Sequence, residues 1–160
     1  NDIARLARAD IIASVQPRHI TLDPGGPERD LGPERVPYMW PFRTLLDSGA
    51  TLAFGTDSPV TDIDPIDAVY TAVTRRDADT HEPLGGWLPE ERITLAEALR
   101  AYTAGSAAAA QRADELGQLA PGMFADITVL SPNPFKLAPD DLQQAKVQAT
   151  YVAGKKAYER

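Results

Sequence analysis

Residues 52–60 read LAFGTDSPV. Three apolar residues lead into a glycine, a threonine and an acid, and a Ser-Pro pair then breaks the chain. A short continuous apolar run marks a strand covered on both faces, as in a parallel sheet flanked by helices. Its carboxyl end presents one carboxylate, Asp57. Such an acid either accepts backbone N–H bonds in a turn or caps the following helix, or it does chemistry. Asp64, with Pro65 at the first helical position, already accounts for the cap, so Asp57 is free for another role.

The segments on either side share this pattern. Upstream, DIIASVQP (10–17) carries Ile11, Ile12, Ala13 and Val15 as a second apolar run, read as another strand buried on both faces and ended by Pro17. A helix over 2–8 precedes it. From Pro17 to Pro37, five prolines and three glycines exclude regular structure and predict a lid or binding loop. Phe42, Leu45 and Leu46, with Gly49 as a stop, predict a helix. Beyond Asp57, the stripe Ile66, Val69, Tyr70 and Val73 predicts a second helix, followed by a loop over 77–92. Thr94 and Glu97 form a capping box, with Ile93 and Ala98 as its staple. Leu95, Ala98, Leu99 and Tyr102 make the buried face of that helix, and AGSAAAAQRADELG (104–117) continues as a small-residue helix. After Gly117 the pattern becomes β-rich: a strand over 127–130 and a terminal hairpin over 146–160. The expected fold class is therefore α/β, with two strand–loop–helix units in series.

The charge balance narrows the function. Sixteen basic against 23 acidic residues, a net charge of -7, lack the basic footprint of a nucleic-acid or anionic-membrane surface. No apolar run is long enough to span a membrane. The absence of cysteine excludes disulfides, thiolate metal sites and cysteine nucleophiles. The first residues do not form a signal peptide, so a cytoplasmic location is expected. P-loop, dinucleotide-binding and nucleophile-elbow motifs are all missing.

In parallel βα architectures, functional groups gather at the carboxyl ends of strands. Gln16 and His19 follow the first strand, and Asp57 and Ser58 follow the second. From pattern alone His19 reads more readily as a hydrogen-bonded structural residue than as a ligand, and His81 as a solvated one. Asp62, Asp64 and Asp67 lack the glycine and terminal glutamate of a calcium loop and read as a solvated helix start.

Four ordered stretches carry a resemblance. SVQPRH, LGPERVPYMWPFRTLLDSGATLAFGTDSPV, GGWLPEERITLAEALRAYTAGSA and GQLAPGMFADITVLSPNP together resemble the C-terminal part of the amidohydrolase superfamily, closest to the amidohydrolase family 3 branch that includes N-substituted formamide deformylase-like enzymes. The resemblance implies strands 7 and 8 of a metal-dependent (β/α)8 TIM barrel over residues 1–116. It also implies the C-terminal strands of a small composite β-sandwich over residues 117–160. Asp57 would be a metal ligand that accepts a proton from the metal-activated water, and His19 and Gln16 would contact a small-molecule amide-type substrate. The implied cofactor is a divalent metal, zinc foremost, in the intact enzyme.

The family's H-x-H pair, bridging lysine or acid and two further histidines have no counterpart here, since the chain holds two histidines, His19 and His81. A complete barrel also needs about 250 residues. The expectation is a fragment that binds no metal and is inactive alone, and that buries its exposed sheet edges by forming a homo-oligomer. The rival reading is a non-catalytic α/β binding or assembly module that has lost the metal site.

Overall fold

A computed structural model describes residues 2–160. Its core is the strand β2 (Leu52–Phe54), buried at every position, paired in parallel with β1 (Ala13–Val15) so that Ala13, Ser14 and Val15 face Leu52, Ala53 and Phe54. Leu52 and Phe54 pack with Phe42, Leu45, Val69, Ile93, Ala98 and Ala101. These side chains come from α3 (Phe42–Asp47), α4 (Pro65–Thr74), α5 (Leu95–Arg100) and their flanks. β1 is not covered in the same way. Ser14 is exposed and Ile11 is 51% exposed.

The helix starts follow their caps. Asp64 Oδ1 accepts from Ile66 N at 2.9 Å at the start of α4. Thr94 and Glu97 close the capping box of α5 in both directions, at 3.2 and 2.7 Å. Another cap is tertiary: the buried Glu91 accepts from the backbone N–H of Thr44 in the first turn of α3, at 3.0 Å.

Between Pro17 and Pro37 the structure corrects the expectation of an irregular loop. It holds a 3-10 turn (Pro17–Thr21), α2 (Gly26–Leu31) and a second 3-10 turn (Val36–Tyr38). Pro17, Pro27 and Pro37 each sit in the first turn of one of these pieces. There a missing N–H costs nothing and the fixed φ favours the helix. Prolines placed to start short helices read, in sequence, like prolines placed to prevent them.

The small-residue helix is shorter than expected and its middle is wider. Ala101–Gly105 form a π turn leading into α6 (Ser106–Ala109). Ser106 Oγ donates to Phe54 O at 2.9 Å and to Ala101 O at 3.0 Å, seating this turn directly on β2. A Cβ on Gly105 would lie 1.9 Å from Leu52 O. The chain reverses at Gln111 (φ 58), and Gly117 (φ 86) comes back against Thr103 and Ala104; the helix therefore stops at Ala109.

The remaining strands are β3 (Ile127–Ser131), β4 (Lys146–Val152) and β5 (Lys155–Glu159), an antiparallel sheet in that order. The β4–β5 turn places Ala153 at φ 48 and Gly154 at φ 77, the paired positive values a two-residue hairpin requires. A 3-10 segment, Pro139–Gln144, docks on α4. Leu142 is buried with Tyr70 and Ala78, and Gln143 Nε2 donates to Asp67 Oδ1 at 2.7 Å and Ala78 O at 2.9 Å. No helix among the described residues is long and apolar enough to cross a membrane.

Two outcomes follow from this packing. Gly105→Ala pushes a methyl group into the Leu52 carbonyl and is expected to destabilise the fold by about 3 kcal/mol in urea titration; a midpoint unchanged from the parent would contradict the Gly105–β2 approach. The second concerns Glu97, whose carboxyl is held down to about 2 from its ordinary 4.5, chiefly by the hydrogen bond from Arg43 and then, against the cost of burial, by the Thr94 cap. A depressed folded value means this contribution is complete above about 4.5 and is lost as pH falls towards about 2. Thermal melts between those values should therefore fall less steeply with decreasing pH for Glu97→Gln than for the parent.

Candidate active site

Because β1 and β2 run parallel, their carboxyl ends share one edge, and the segments that leave them meet there. At the end of β1, Gln16 is extended (φ -121) and its carbonyl accepts from His19 N at 3.1 Å, which starts the 3-10 turn. That turn carries His19 to Asp57: Nε2 lies 3.5 Å from Asp57 Oδ2. This separation is too long for a good hydrogen bond, and His19 Nε2 is buried with no hydrogen-bond partner. The two groups differ in access, the Asp57 side chain being 53% exposed and that of His19 21%.

Asp57 is aimed by its own turn. Its backbone is left-handed, φ 58, a conformation aspartate tolerates better than most residues. Val60 N donates to Asp57 O at 2.8 Å, and the buried Thr61 hydroxyl donates to Thr56 O. The carboxylate therefore leaves the line of β2 and faces the loop after β1. Of the three residues singled out in the sequence, the structure brings His19 and Asp57 side chains together. Gln16 stands half-buried on the same edge and enters through its backbone carbonyl. His81, read as solvated, is exposed, yet its Nε2 lies 3.0 Å from Gln143 Oε1 and its ring stacks against Tyr70 at 5.3 Å.

Two arginines that support this edge carry no sequence signal. Arg18 has a side chain only 10% exposed; Nη2 donates to Asp79 Oδ2 at 2.8 Å and Nη1 lies 3.9 Å from Asp77 Oδ2. It ties the His19 turn to the loop that follows α4. A lone arginine in a proline-rich stretch reads as solvated, and its carboxylate partners lie about sixty residues away. Arg75, fully buried, stacks on the Phe42 ring at 5.2 Å and the Trp87 ring at 5.4 Å. It also donates to Trp87 O and Trp40 O, both at 3.0 Å. Burial pulls its pKa down to about 10, against the opposing pull of Glu91 and Glu90. Trp87 Nε1 in turn donates to Glu28 Oε1 at 2.6 Å, pinning α2 beside the edge.

The donor set fits part of a metal site. The half-exposed Asp57 carboxylate is an oxygen donor of the kind a divalent cation accepts, and the unpartnered His19 Nε2 beside it is left for another group. Among the described residues no group of three or more histidines, aspartates or glutamates is placed to hold a metal ion. A complete shell is therefore not built from these residues.

Asp57 and His19 thus meet at the carboxyl edge of a parallel strand pair, and the chain carrying them is similar to several known proteins. A structure described as an uncharacterized metal-dependent hydrolase from Pyrococcus horikoshii superposes with a TM-score of 0.65 at 33% identity, over 76% of this chain and 24% of that one. Protein LONG AFTER FAR-RED 3 of Arabidopsis thaliana is 41% identical over 96% of this chain, and N-substituted formamide deformylase of Arthrobacter pascens is 35% identical over 76%. The amidohydrolase family profile matches residues 1–158, and the chain belongs to that family. It spans about a quarter of the length of these relatives, 26% and 22% respectively.

Removing Arg18 should cost more than removing its best-placed partner. Arg18→Ala is expected to lower stability by about 2 kcal/mol, whereas Asp79→Ala, at a side chain 72% exposed, should change it by no more than about 0.5 kcal/mol. Chemical denaturation of the two variants side by side reads the difference, and equal losses would contradict the buried-strut role of Arg18.

Proposed function

We propose that this chain supplies the carboxyl-terminal strand units and the catalytic acid of a metal-dependent amidohydrolase that cleaves C–N bonds of small amide-type substrates. The observation that carries the reading is the convergence of Asp57 with the unpartnered His19 nitrogen at the carboxyl edge of a parallel strand pair. The likeness to an N-substituted formamide deformylase supports an amide bond as the target. Residues 1–116 are assigned to the barrel, as its seventh and eighth strand units, and residues 117–160 to a composite β-sandwich.

In this reading Asp57 is a metal ligand and acid–base group. Asp57 would help hold a divalent cation, and zinc, which accepts carboxylate oxygen among its ligands, would when bound supply a water whose pKa is lowered to about 7. Asp57 takes up the proton of the attacking water at its exposed carboxylate and delivers it to the leaving nitrogen. Its left-handed backbone and the Thr61–Thr56 bond hold that carboxylate on the open side of the edge. His19 offers Nε2, and Gln16 its amide, to the substrate. The other cation ligands lie outside the described residues, so the chain by itself is expected to be inactive.

Asp57→Asn in the full-length protein tests the assignment. The carboxamide keeps the shape and removes the proton acceptor. The turnover rate constant for an N-substituted amide should fall about a hundredfold to ten-thousandfold, with bound metal reduced and the circular dichroism spectrum unchanged. Unchanged turnover would remove Asp57 from the chemistry and leave the chain as a binding or assembly module.

A further inference from the structure

The turn that carries His19 is held in two ways. Pro17 and Ile20 are buried, and Ile20 joins the core that contains Leu52 and Phe54. Apolar burial is non-directional, so it seats the turn without fixing the angle at which the imidazole leaves it. The directional contacts come from Arg18 and Thr21, one on either side of His19, and both reach Asp77. Arg18 Nη1 lies 3.9 Å from Asp77 Oδ2, and the Thr21 hydroxyl bonds the same carboxyl. That hydroxyl also lies 3.4 Å from Arg18 O, which links the two arms.

Asp77 is built to be a fixed point. Its N–H donates to Glu82 O at 2.8 Å and its carbonyl accepts from His81 N at 2.9 Å, which closes the loop after α4 upon it. Its Oδ1 accepts from Asp79 N at 3.0 Å, Thr80 N at 2.8 Å and the Thr80 hydroxyl at 3.1 Å. Burial pushes its carboxyl up, but the bonds from Thr80 N, the Thr21 hydroxyl and Asp79 N outweigh it and hold the group below its ordinary value. One oxygen thus anchors its own loop, and the other faces the guanidinium of Arg18.

Distance alone would favour Asp79, whose Oδ2 is 2.8 Å from Arg18 Nη2. That side chain is 72% exposed, whereas the Asp77 side chain is 19% exposed. Water screens the first contact, and the second acts at lower dielectric between two constrained groups. We infer that Asp77 is the positioning residue for His19, acting through Arg18 and Thr21 to hold the imidazole beside Asp57. The inference rests on the proposed function for what His19 touches, and on this geometry for where His19 is held.

The test uses the full-length protein and its Asp77→Asn variant. The carboxamide oxygen keeps the acceptor that closes the loop, while its nitrogen turns donors toward Arg18, which has no acceptor to offer. In a crystal structure of the variant, the His19 imidazole should move from Asp57 by about 1 Å or more, a displacement large enough to spoil a substrate contact. The KM for N-benzylacetamide should rise about tenfold with kcat within about twofold. Thr21→Val should raise KM in the same direction and Thr21→Ser should restore it, while Asp79→Ala leaves it within about twofold. In a His19→Ala background Asp77→Asn should add nothing, because the two residues act as one unit. An imidazole unmoved in Asp77→Asn, or a rise in KM that persists without His19, would overturn the inference. Failure of the parent to hydrolyse the amide would count against the amide-cleaving reading, and the position of the imidazole then decides the inference by itself.

Discussion

The parallel pairing of β1 with β2 is the constraint on which the rest of the molecule depends. Its ladder continues at both ends, through Ala13 N to Thr51 O at 2.9 Å and Gly55 N to Val15 O at 3.3 Å. Two strands held in this register must release their loops at the same edge. Antiparallel pairing of the same two segments would have sent Asp57 and His19 to opposite ends. The pairing is secured from behind: Gly105 lets a helical backbone come down onto the Leu52 carbonyl, and the Ser106 hydroxyl bonds the Phe54 carbonyl. The chemistry at the edge thus depends on a glycine and a serine far from it in sequence.

Around that edge, cationic side chains do structural work that charge counting does not reveal. Arg75 is enclosed by Phe42 and Trp87 and holds two backbone carbonyls, so its guanidinium fixes the paths of two loops at once. Arg18 does the same for the His19 turn through Asp79 and Asp77. Planar guanidinium groups suit this role because they stack and donate in fixed directions, where an ammonium would only supply charge. Asp57 and Asp62, by contrast, remain open to solvent.

Much of the fold was legible in the linear pattern. The apolar run before Asp57, the Asp64–Pro65 start, the Thr94–Glu97 box and the terminal hairpin all rest on local chemistry, and each appears where that chemistry places it. The readings that changed depend on what lies across space. Ile11 belongs to a run whose pattern predicts burial on both faces, and it is exposed, because burial needs a neighbour that the pattern of one strand cannot supply. Pro17, Pro27 and Pro37 read as breakers and act as helix starters, because their effect depends on which residue of a turn they occupy.

The sequence by itself determined the type of the elements, their order and the presence of an acid at a strand's carboxyl end, since period, capping and turn chemistry act over a few residues. Only the tertiary structure decided that His19 faces Asp57 with an unpartnered nitrogen, that Arg18 bonds Asp79 and lies beside Asp77, and that Leu22 lines one surface cavity with Val60 and Ile63. Those relations join residues up to about sixty positions apart. Such distances close only when buried apolar area outweighs the entropy of looping the chain.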